Sequence, residues 1–382
     1  MVPQLPLLLV TETPPYSPNG FGVTLSCMFK ETPHKVIYTD SNFKKFGESQ
    51  GYTLAQVPFH RGRKLIVPFF LGKIPEWRGF FSYVWLTKHL KEKFSCVYAF
   101  IYSTDCMKYA NWIAEKKKIP LCIHLADHSE SFEKAESTQI LLRASKLICI
   151  TNEMKFKYEK MLGRSDIHVL HNGAEEKCYK IASPRPAAFS NKNPFILCFI
   201  GGLFSHLHGD CIEDIFLAIA QIRKKRPWIE FHLYGQRQPN HFLESSVKSS
   251  GCKHHGIVMP LEKKFEIMEN AHCFILPSSF NAENHQHYRY SFPTKLPELI
   301  ASGRPILSYG PKETATNKIL EENNIGIRIY DRSITKVVKA LEDLEGQYST
   351  QTKKFATVKE MDLEKFSAQG VRKKLSKILK SH

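Results

Sequence analysis

The sequence predicts an α/β protein built from two doubly wound, Rossmann-like domains that face a central cleft. Three observations predict this fold class. Short apolar runs alternate with helix-length segments along the chain, which is the pattern of a parallel sheet covered on both faces. A segment rich in Pro, Ser and Asn, residues 182–194, interrupts that alternation and is typical of a linker. The length of 382 residues is enough for two domains with cores of their own.

Six apolar runs predict the strands of an N-terminal domain over residues 1–182. They are Leu5–Val10, Lys35–Thr39, Ser95–Ile101, Pro120–Leu125, Lys146–Thr151 and Ile167–Leu170. Helix-length segments lie between them, for example Cys106–Lys118 and Asn152–Leu162. The spacing therefore indicates strand–helix–strand units rather than hairpins.

Five further runs predict a C-terminal domain over residues 194–350. They are Phe195–Ile200, Ile229–Tyr234, Cys273–Leu276, Pro305–Ser308 and Gly326–Ile329. A helix is expected over Ile212–Lys225, where Ile215, Ile219 and Ile222 recur at core spacing. The tail 351–382 is expected to contain a helix over residues 364–380, because apolar residues recur there at helical spacing between lysines.

The charge is strongly positive and uneven. The formal net charge is +17 at pH 7; residues 1–190 carry +9, residues 191–350 carry +2 and residues 351–382 carry +6. Residues 59–94 alone carry +6, with nine aromatic side chains interleaved. This pattern suits an anionic membrane surface or a single-stranded nucleic acid, but a solvated basic helix face gives the same pattern. A field of this sign favours anionic partners.

The cysteines and the apolar runs indicate the cellular compartment in which we expect the protein. Cys122, Cys149, Cys198 and Cys273 sit inside apolar runs and are expected to act as small buried hydrophobes, without disulfides, in a reducing compartment. No run approaches the roughly 18 apolar residues of a membrane span, and the first residues lack the charged start of a signal peptide. We expect a cytoplasmic protein that can associate peripherally with the cytoplasmic face of a membrane.

Three motifs follow strand ends or open helices. Gly20 and Gly22 follow the first strand and could let the backbone approach an acceptor or a phosphate. Gly201-Gly202 and His208 open the second domain in the same way. The third is the segment 293–306, PTKLPELIASGRPI, in which Lys295 and Glu298 share a helical face. Each of these motifs also occurs as an ordinary turn or surface ion pair.

Together these motifs resemble the GT-B fold glycosyltransferases, specifically the large retaining group-1 family, family 4. The most specific piece is P-T-K-x-x-E-x-x-A-S-G-R-P-I at residues 293–306. The stretch 145–176, with its Asn172-Gly173 turn, and the opening at Gly201 also match, so the resemblance covers nearly the whole chain.

The resemblance implies a nucleotide-diphosphate sugar donor held by the second domain and an acceptor held by the first. Gly202, His208, Thr294 and Lys295 would bind the donor diphosphate, and Glu298 would bind the ribose. The tail helix would cross back to the N-terminal domain. No cofactor and no metal are expected, because enzymes similar to this one need none.

The chain also departs from the family pattern. The family often carries Arg and Lys after the first strand of the second domain, where this chain has Gly202 and His208. It often carries a glutamate eight residues before the position of Glu298, where this chain has Tyr290. These departures leave the sugar, and turnover itself, open.

In the first domain, the family's His-Asp pair corresponds to Ala126 and Asp127. We therefore favour Asp127 as the catalytic residue, with His128 second. His124 could also substitute for the family histidine, but the alternation along the predicted strand places it beside the core as a hydrogen-bonded histidine. The closely spaced histidines His206/His208, His254/His255 and His285/His287 lack the carboxylate or cysteine partners that would favour a metal site.

The expected function is retaining sugar transfer to an acceptor hydroxyl in surface polysaccharide or glycan synthesis, on an anionic or lipid-linked glycan. Three alternatives remain open at this point: an inactive glycosyltransferase-like binding protein, a sugar-nucleotide 2-epimerase, and a nucleic-acid-binding protein. Nucleic acid is the least favoured partner, because the motifs indicate a nucleotide sugar.

Overall fold

A computed structural model of the chain describes residues 5–17, 19–54, 90–181, 189–235, 250–258, 262–350 and 363–380. The chain divides into two compact units. The first unit comprises residues 1–171 and 372–382, and the second comprises residues 172–371. The expected linker lies largely outside the described residues, and the division falls next to the Asn172-Gly173 turn instead of at residue 182.

Within the described residues, the first unit contains one sheet of seven parallel strands. The strands are β1 (Leu7–Thr11), β2 (His34–Tyr38), β3 (Thr53–Leu54), β4 (Val97–Ile101), β5 (Leu121–Leu125), β6 (Lys146–Cys149) and β7 (Ile167–Val169). Their order across the sheet is β3-β2-β1-β4-β5-β6-β7. The strands β1, β4 and β5 are buried at every residue, as expected of parallel strands covered on both faces.

Helices follow the strands of this first sheet. They are α1 (Gly20–Phe29), α2 (Lys44–Ser49), α3 (Thr104–Lys117), α4 (Ala135–Arg143) and α5 (Asn152–Leu162). Each of α1, α3 and α5 begins after a polar N-cap, Asn19, Ser103 and Thr151, whose side chain accepts from a backbone N–H of the first turn. The strand–cap–helix order places these helix starts at the carboxyl edge of the sheet.

The second unit repeats the arrangement with six parallel strands among the described residues. The strands are β8 (Phe195–Ile200), β9 (Ile229–Tyr234), β10 (Lys253–His254), β11 (Cys273–Pro277), β12 (Ile306–Tyr309) and β13 (Ile327–Ile329). Their order is β10-β9-β8-β11-β12-β13. In both sheets, the order in which strands are added therefore reverses beside the first strand, which confirms the predicted doubly wound fold class.

The remaining helices of the chain precede β8, lie between these strands or follow them, and the last of them continues into the first unit. They are α6 (Glu176–Tyr179), α7 (Ser205–Arg223), α8 (Glu262–Asn270), α9 (His285–Tyr290), α10 (Leu296–Ala301), α11 (Ala315–Glu322), α12 (Ile334–Thr350) and α13 (Ala368–Lys380). The core of the unit forms where α7 and α12 pack on the sheet, with Ile215, Ile219 and Ile222 fully or almost fully buried as predicted.

The tail helix α13 lies within the predicted range, and its residues from Arg372 onward belong to the first unit. Its apolar side chains Val371, Leu375 and Ile378 are buried. Arg372 donates to the Cys27 carbonyl at 3.0 Å and pairs with Glu31 at 3.2 Å. The burial of its apolar side chains explains why such residues recur along this otherwise basic helix.

The cysteines behave as the sequence indicates. Cys122, Cys149, Cys198 and Cys273 are buried, and burial raises the pKa of each thiol. No disulfide joins the cysteines of the described residues. No helix among those residues combines the length and apolar character needed to cross a membrane.

Candidate active site

Two glycines shape the carboxyl ends of β8 and β9 in the second unit. Gly201 has a φ of +144° and Gly235 a φ of +147°, a backbone region that strongly favours glycine. A Cβ on Gly235 would lie 1.9 Å from the Gly201 carbonyl oxygen, so the two turns touch. The backbone of these two turns, without side chains, therefore covers the carboxyl ends of β8 and β9, next to the switch point where the strand order of the sheet reverses.

Lys295 reaches this edge from the loop before α10. Its Nζ lies 4.0 Å from the centroid of the Phe199 ring, and a Cβ on Gly201 would lie only 2.7 Å from that Nζ. Burial, and second the charge of Lys264, lower the pKa of Lys295 to about 7. The structure thus brings the predicted Lys295 and the glycine turn together, through Gly201 more than Gly202. A poorly hydrated cation over bare backbone can attract a phosphate group.

Gly202 and His208 complete the surroundings of Phe199. The His208 ring stands edge-on to Phe199, at 6.0 Å between centroids, and its Nδ1 lies 3.5 Å from the Phe204 backbone nitrogen. A Cβ on Gly202 would lie 2.5 Å from the Phe204 ring, which gives this glycine a packing role. Both predicted residues therefore lie at the strand end that Lys295 covers.

Glu298 lies in the first turn of α10 and forms an ion pair with Lys264 of α8. Both side chains are only 13% exposed, so water screens this pair weakly. The carbonyl oxygen of Thr294 accepts a hydrogen bond from the Asn172 side chain. The predicted donor segment thus contacts a second, half-buried cation, Lys264, that the sequence did not single out.

Tyr290, at the position where the family often has glutamate, is the last residue of α9. It is 9% exposed, and the Arg289 guanidinium lies 5.8 Å from its ring centroid. The position is therefore occupied by an aromatic ring that supplies no carboxylate.

In the first unit, the loop after β1 is stabilised by its own side chains. A Cβ on Gly22 would lie 2.1 Å from Ser17 Oγ, so Ser17 takes the space beside this glycine. Asn19 Oδ1 accepts from the Gly22 backbone N–H at 2.8 Å. Gly20 is the first residue of α1. These contacts give Gly22 a packing reason, and ligand binding by Gly20 and Gly22 stays a prediction.

Asp127 and His128 follow β5 at the carboxyl edge of the first sheet. Asp127 Oδ1 accepts from the His128 backbone N–H at 2.9 Å. The His128 ring meets the Tyr158 hydroxyl at 3.3 Å and Glu133 at 3.5 Å. Burial, and second the charge of Lys157, lower the pKa of His128. The two predicted residues are adjacent in space, with the His128 side chain directed into a polar cluster.

His124 is a core histidine, as the alternation along β5 predicts. It is fully buried, and its Nδ1 meets the Tyr98 hydroxyl at 2.7 Å. Its Nε2 lies 2.8 Å from the Leu170 carbonyl oxygen, which can only accept, so Nε2 carries the proton. Burial lowers the pKa of His124 to about 3, so the ring is neutral at pH 7.

Glu12 is a second residue that the sequence did not single out. It follows β1, is 5% exposed, and burial raises the pKa of its carboxyl to about 7. Acidic residues after buried strands are a recognisable signal, but the run Thr11-Glu12-Thr13-Pro14 reads locally as the start of a loop. Among the described residues, no three His, Cys, Asp or Glu side chains come together as a metal ion would require.

Comparison with known proteins matches residues 194–346 to the family model described as glycosyl transferases group 1. The whole structure is similar to the crystal structure of HepE from Anabaena in complex with UDP and glucose, with 16% identity, 99% of this chain and 100% of that one covered, and a TM-score of 0.68. None of the curated proteins compared with the chain matches it in sequence.

Two lipopolysaccharide enzymes have a similar structure. The outer core galactosyltransferase WaaB, in its apo form, shares 14% identity over 98% of this chain and 99% of that one, with a TM-score of 0.61. The glycosyltransferase WaaG shares 15% identity over the same fractions, with a TM-score of 0.60. At such identities these likenesses establish the fold, two Rossmann-like units of the GT-B type.

Proposed function

We propose that this chain, whose residues 194–346 match the family model of group 1 glycosyl transferases, is a GT-B glycosyltransferase that transfers a sugar from a nucleotide-diphosphate donor to an acceptor hydroxyl with retention. The observation that carries the proposal is the position of Lys295, whose ammonium lies on Phe199 beside the bare backbone of Gly201. A partly buried cation at the carboxyl end of a switch-point strand suits a diphosphate.

In the proposed mechanism, the second unit holds the donor. Lys295 would stabilise the negative charge that develops on the leaving diphosphate, with His208 and the backbone at Gly202 contributing donors. Lys264, which pairs with Glu298, would supply a second cation. It would take the part of the Arg and Lys that the family often has and this chain lacks. Thr294 would position this segment, and Glu298 would bind the ribose.

The choice of nucleotide is proposed from the structural similarity to HepE. HepE binds UDP and glucose in its crystal structure, and UDP-glucose in another. A uridine donor is therefore the first to test here.

In the first unit, Asp127, or His128, would orient the acceptor or the transferred sugar. A retaining enzyme of this type needs no strong base, since the leaving phosphate can take the acceptor proton. We propose that no metal or other cofactor takes part, because the diphosphate has cationic partners in Lys295 and Lys264.

The acceptor is proposed to be an anionic or lipid-linked glycan met at the cytoplasmic face of a membrane, in surface polysaccharide or glycan synthesis. The support is the charge of +6 over residues 59–94 with its interleaved aromatics. Most of this stretch, residues 59–89, lies outside the described residues.

The first experiment is a thermal-shift panel of UDP-, GDP-, ADP- and CMP-sugars, followed by turnover of the selected donor. Binding raises the melting temperature. We expect one nucleotide class to stabilise the protein and to release nucleoside diphosphate, and the anomeric configuration of the product, read by NMR, to match that of the donor. An inverted product would contradict retention. Stabilisation without any donor hydrolysis or transfer would favour the inactive binding protein.

A further inference from the structure

The strand order of the first sheet reverses between β1 and β4. From β1 the chain continues to β2 and β3 on one side, whereas β4 to β7 continue on the other. In open α/β sheets, the crevice at the carboxyl ends of such a pair is where ligands bind. Glu12 and Thr13 follow β1 at this point, and Tyr102 and Ser103 follow β4.

Glu12 is fixed here through one of its two carboxyl oxygens. Oε1 accepts from the Ser103 backbone N–H at 2.8 Å, from the Ser103 hydroxyl at 2.6 Å and from the Tyr102 backbone N–H at 3.2 Å. The Glu12 carbonyl accepts from the Asp40 N–H at 2.9 Å. The side chain therefore bridges the two strands of the switch point in a single orientation.

The other oxygen, Oε2, is buried and has no hydrogen-bond partner among the described residues. The hydroxyl of Thr13, a residue 2% exposed, is buried in the same way and also lacks a partner there. Buried polar atoms are nearly always hydrogen-bonded. Two orphan oxygens on consecutive residues at a ligand crevice therefore point to a group that is absent from the structure.

The surroundings favour a neutral ligand that carries hydroxyls. Among the described residues, Tyr102 and Cys106 interact electrostatically with Glu12, and Asp40 and Asp105 act on these two; none of the four is basic, which disfavours a phosphate. The Phe21 and Tyr102 rings, 4.6 Å apart between centroids, lie next to the site and are only partly buried. Aromatic faces combined with a few fixed polar atoms are typical of small-molecule sites.

We propose that Glu12 Oε2 and Thr13 Oγ1 bind hydroxyl groups of the acceptor sugar at the switch point of the first sheet. This inference rests on the proposed function, and it assigns to this loop a carbohydrate in place of the phosphate that its glycines suggest. The carboxylate accepts from one sugar hydroxyl, and the Thr13 hydroxyl exchanges a hydrogen bond with another. Neither residue takes part in donor binding, which belongs to the second unit.

The test is saturation-transfer NMR on the full chain without nucleotide. The probes are the methyl glycosides, in both anomers, of glucose, galactose, mannose and N-acetylglucosamine. We expect at least one glycoside to bind, and Glu12→Gln and Thr13→Val each to weaken it about fivefold or more. Glu48→Gln, a matched change at an exposed glutamate of the same unit, should leave binding within twofold. Inorganic phosphate should not compete.

Three results would overturn the inference: no glycoside binding by the wild type, unchanged binding in both variants, or competition by phosphate. If Glu12→Gln does not fold, as judged by circular dichroism, Thr13→Val decides. Because no nucleotide is present, a failure here is distinguishable from a failure of the proposed function, which the nucleotide-sugar panel tests separately.

Discussion

Lys295 is expected to make donor binding depend on pH near neutrality. Its pKa is lowered to about 7, so it is cationic below pH 7 and largely neutral above. A nucleotide-sugar diphosphate keeps its charge over this range, so binding above pH 7 must take up a proton. We expect the affinity to fall as pH rises from 6.5 to 8.5, approaching tenfold per pH unit above 7.

Calorimetry at a series of pH values measures this dependence. Lys295→Arg keeps its cation at every pH, so its affinity should be nearly flat over the same range. An equal decline in the arginine variant would assign the titration to another group.

Glu12 is expected to make stability depend on pH. Burial raises its pKa from 4.5 to about 7, so the folded state holds a proton that the unfolded state has lost. This contribution is fully present below pH 4.5 and is lost as pH rises through 7, and it is worth about 3 kcal/mol. Relative to wild type, Glu12→Gln should gain stability between pH 5 and pH 8.

Urea denaturation at pH 5 and at pH 8 measures this difference, with Glu48→Gln as the exposed control. If the free energies of unfolding of wild type and Glu12→Gln differ by the same amount at both pH values, the carboxyl does not titrate in this range.

At the scale of elements, the touching turns after β8 and β9 are expected to tolerate no side chain. Gly235→Ala would place its Cβ 1.9 Å from the Gly201 carbonyl at a φ of +147°. We expect a loss of about 2–4 kcal/mol from clash and backbone strain. Gly346→Ala is the control, because this glycine lies inside α12 with open space around its Cα.

The control should gain about 0.5–1 kcal/mol, since alanine is the better helix former. Chemical denaturation of both variants makes the comparison. A Gly235→Ala variant as stable as wild type would mean that the two turns can separate without cost.

The bounds of a strand or helix could be predicted where a local sequence pattern specifies them. The strands β8 and β9 and the helix α5 have the predicted bounds, because a continuous apolar run specifies β8, an alternating apolar pattern specifies β9 and a Thr151 cap specifies the start of α5. The strands β3 and β10 were missed, since each is two residues long and has no buried residue. An edge pairing of that length leaves no hydrophobic pattern in the sequence.

The same limit applies to the candidate site. Lys295 and Glu298 share one short motif, so their spacing singled them out. Lys264 reaches Glu298 from a helix 34 residues away, and Glu12 meets Ser103 across 91 residues. Such contacts depend on strand order across the sheet, which no local motif encodes. The boundary between the units lies between His171 and Asn172, before the segment rich in Pro and Ser, so composition alone did not locate it.

At the scale of the whole molecule, the uneven charge predicts association with anionic membranes. An anionic leaflet attracts nearby Lys and Arg by about 1 kcal/mol each, and salt screens this attraction. The protein should co-sediment with vesicles that contain anionic lipid, and not with neutral ones. Reversal of Arg61, Arg63 and Lys64 to Glu should reduce this binding.

The control reverses three exposed lysines of the second unit, Lys192, Lys224 and Lys225, and so changes the net charge equally. Equal loss in both triple variants would show that total charge, and not residues 59–94, drives the association. Unreduced binding in the first variant would mean that its charges form a solvated face.

Calorimetry at pH 6.5 measures donor binding by the second unit. The titrant is the nucleotide sugar that the thermal-shift panel selects. Lys295→Ala should weaken its binding by about 1.5–3 kcal/mol, roughly 10- to 150-fold, because a charge-assisted contact to the diphosphate is lost. Lys312→Ala, which removes an exposed lysine paired with Glu321, should bind within twofold of wild type. Wild-type affinity in a folded Lys295→Ala protein would show that the donor diphosphate is not bound through Lys295.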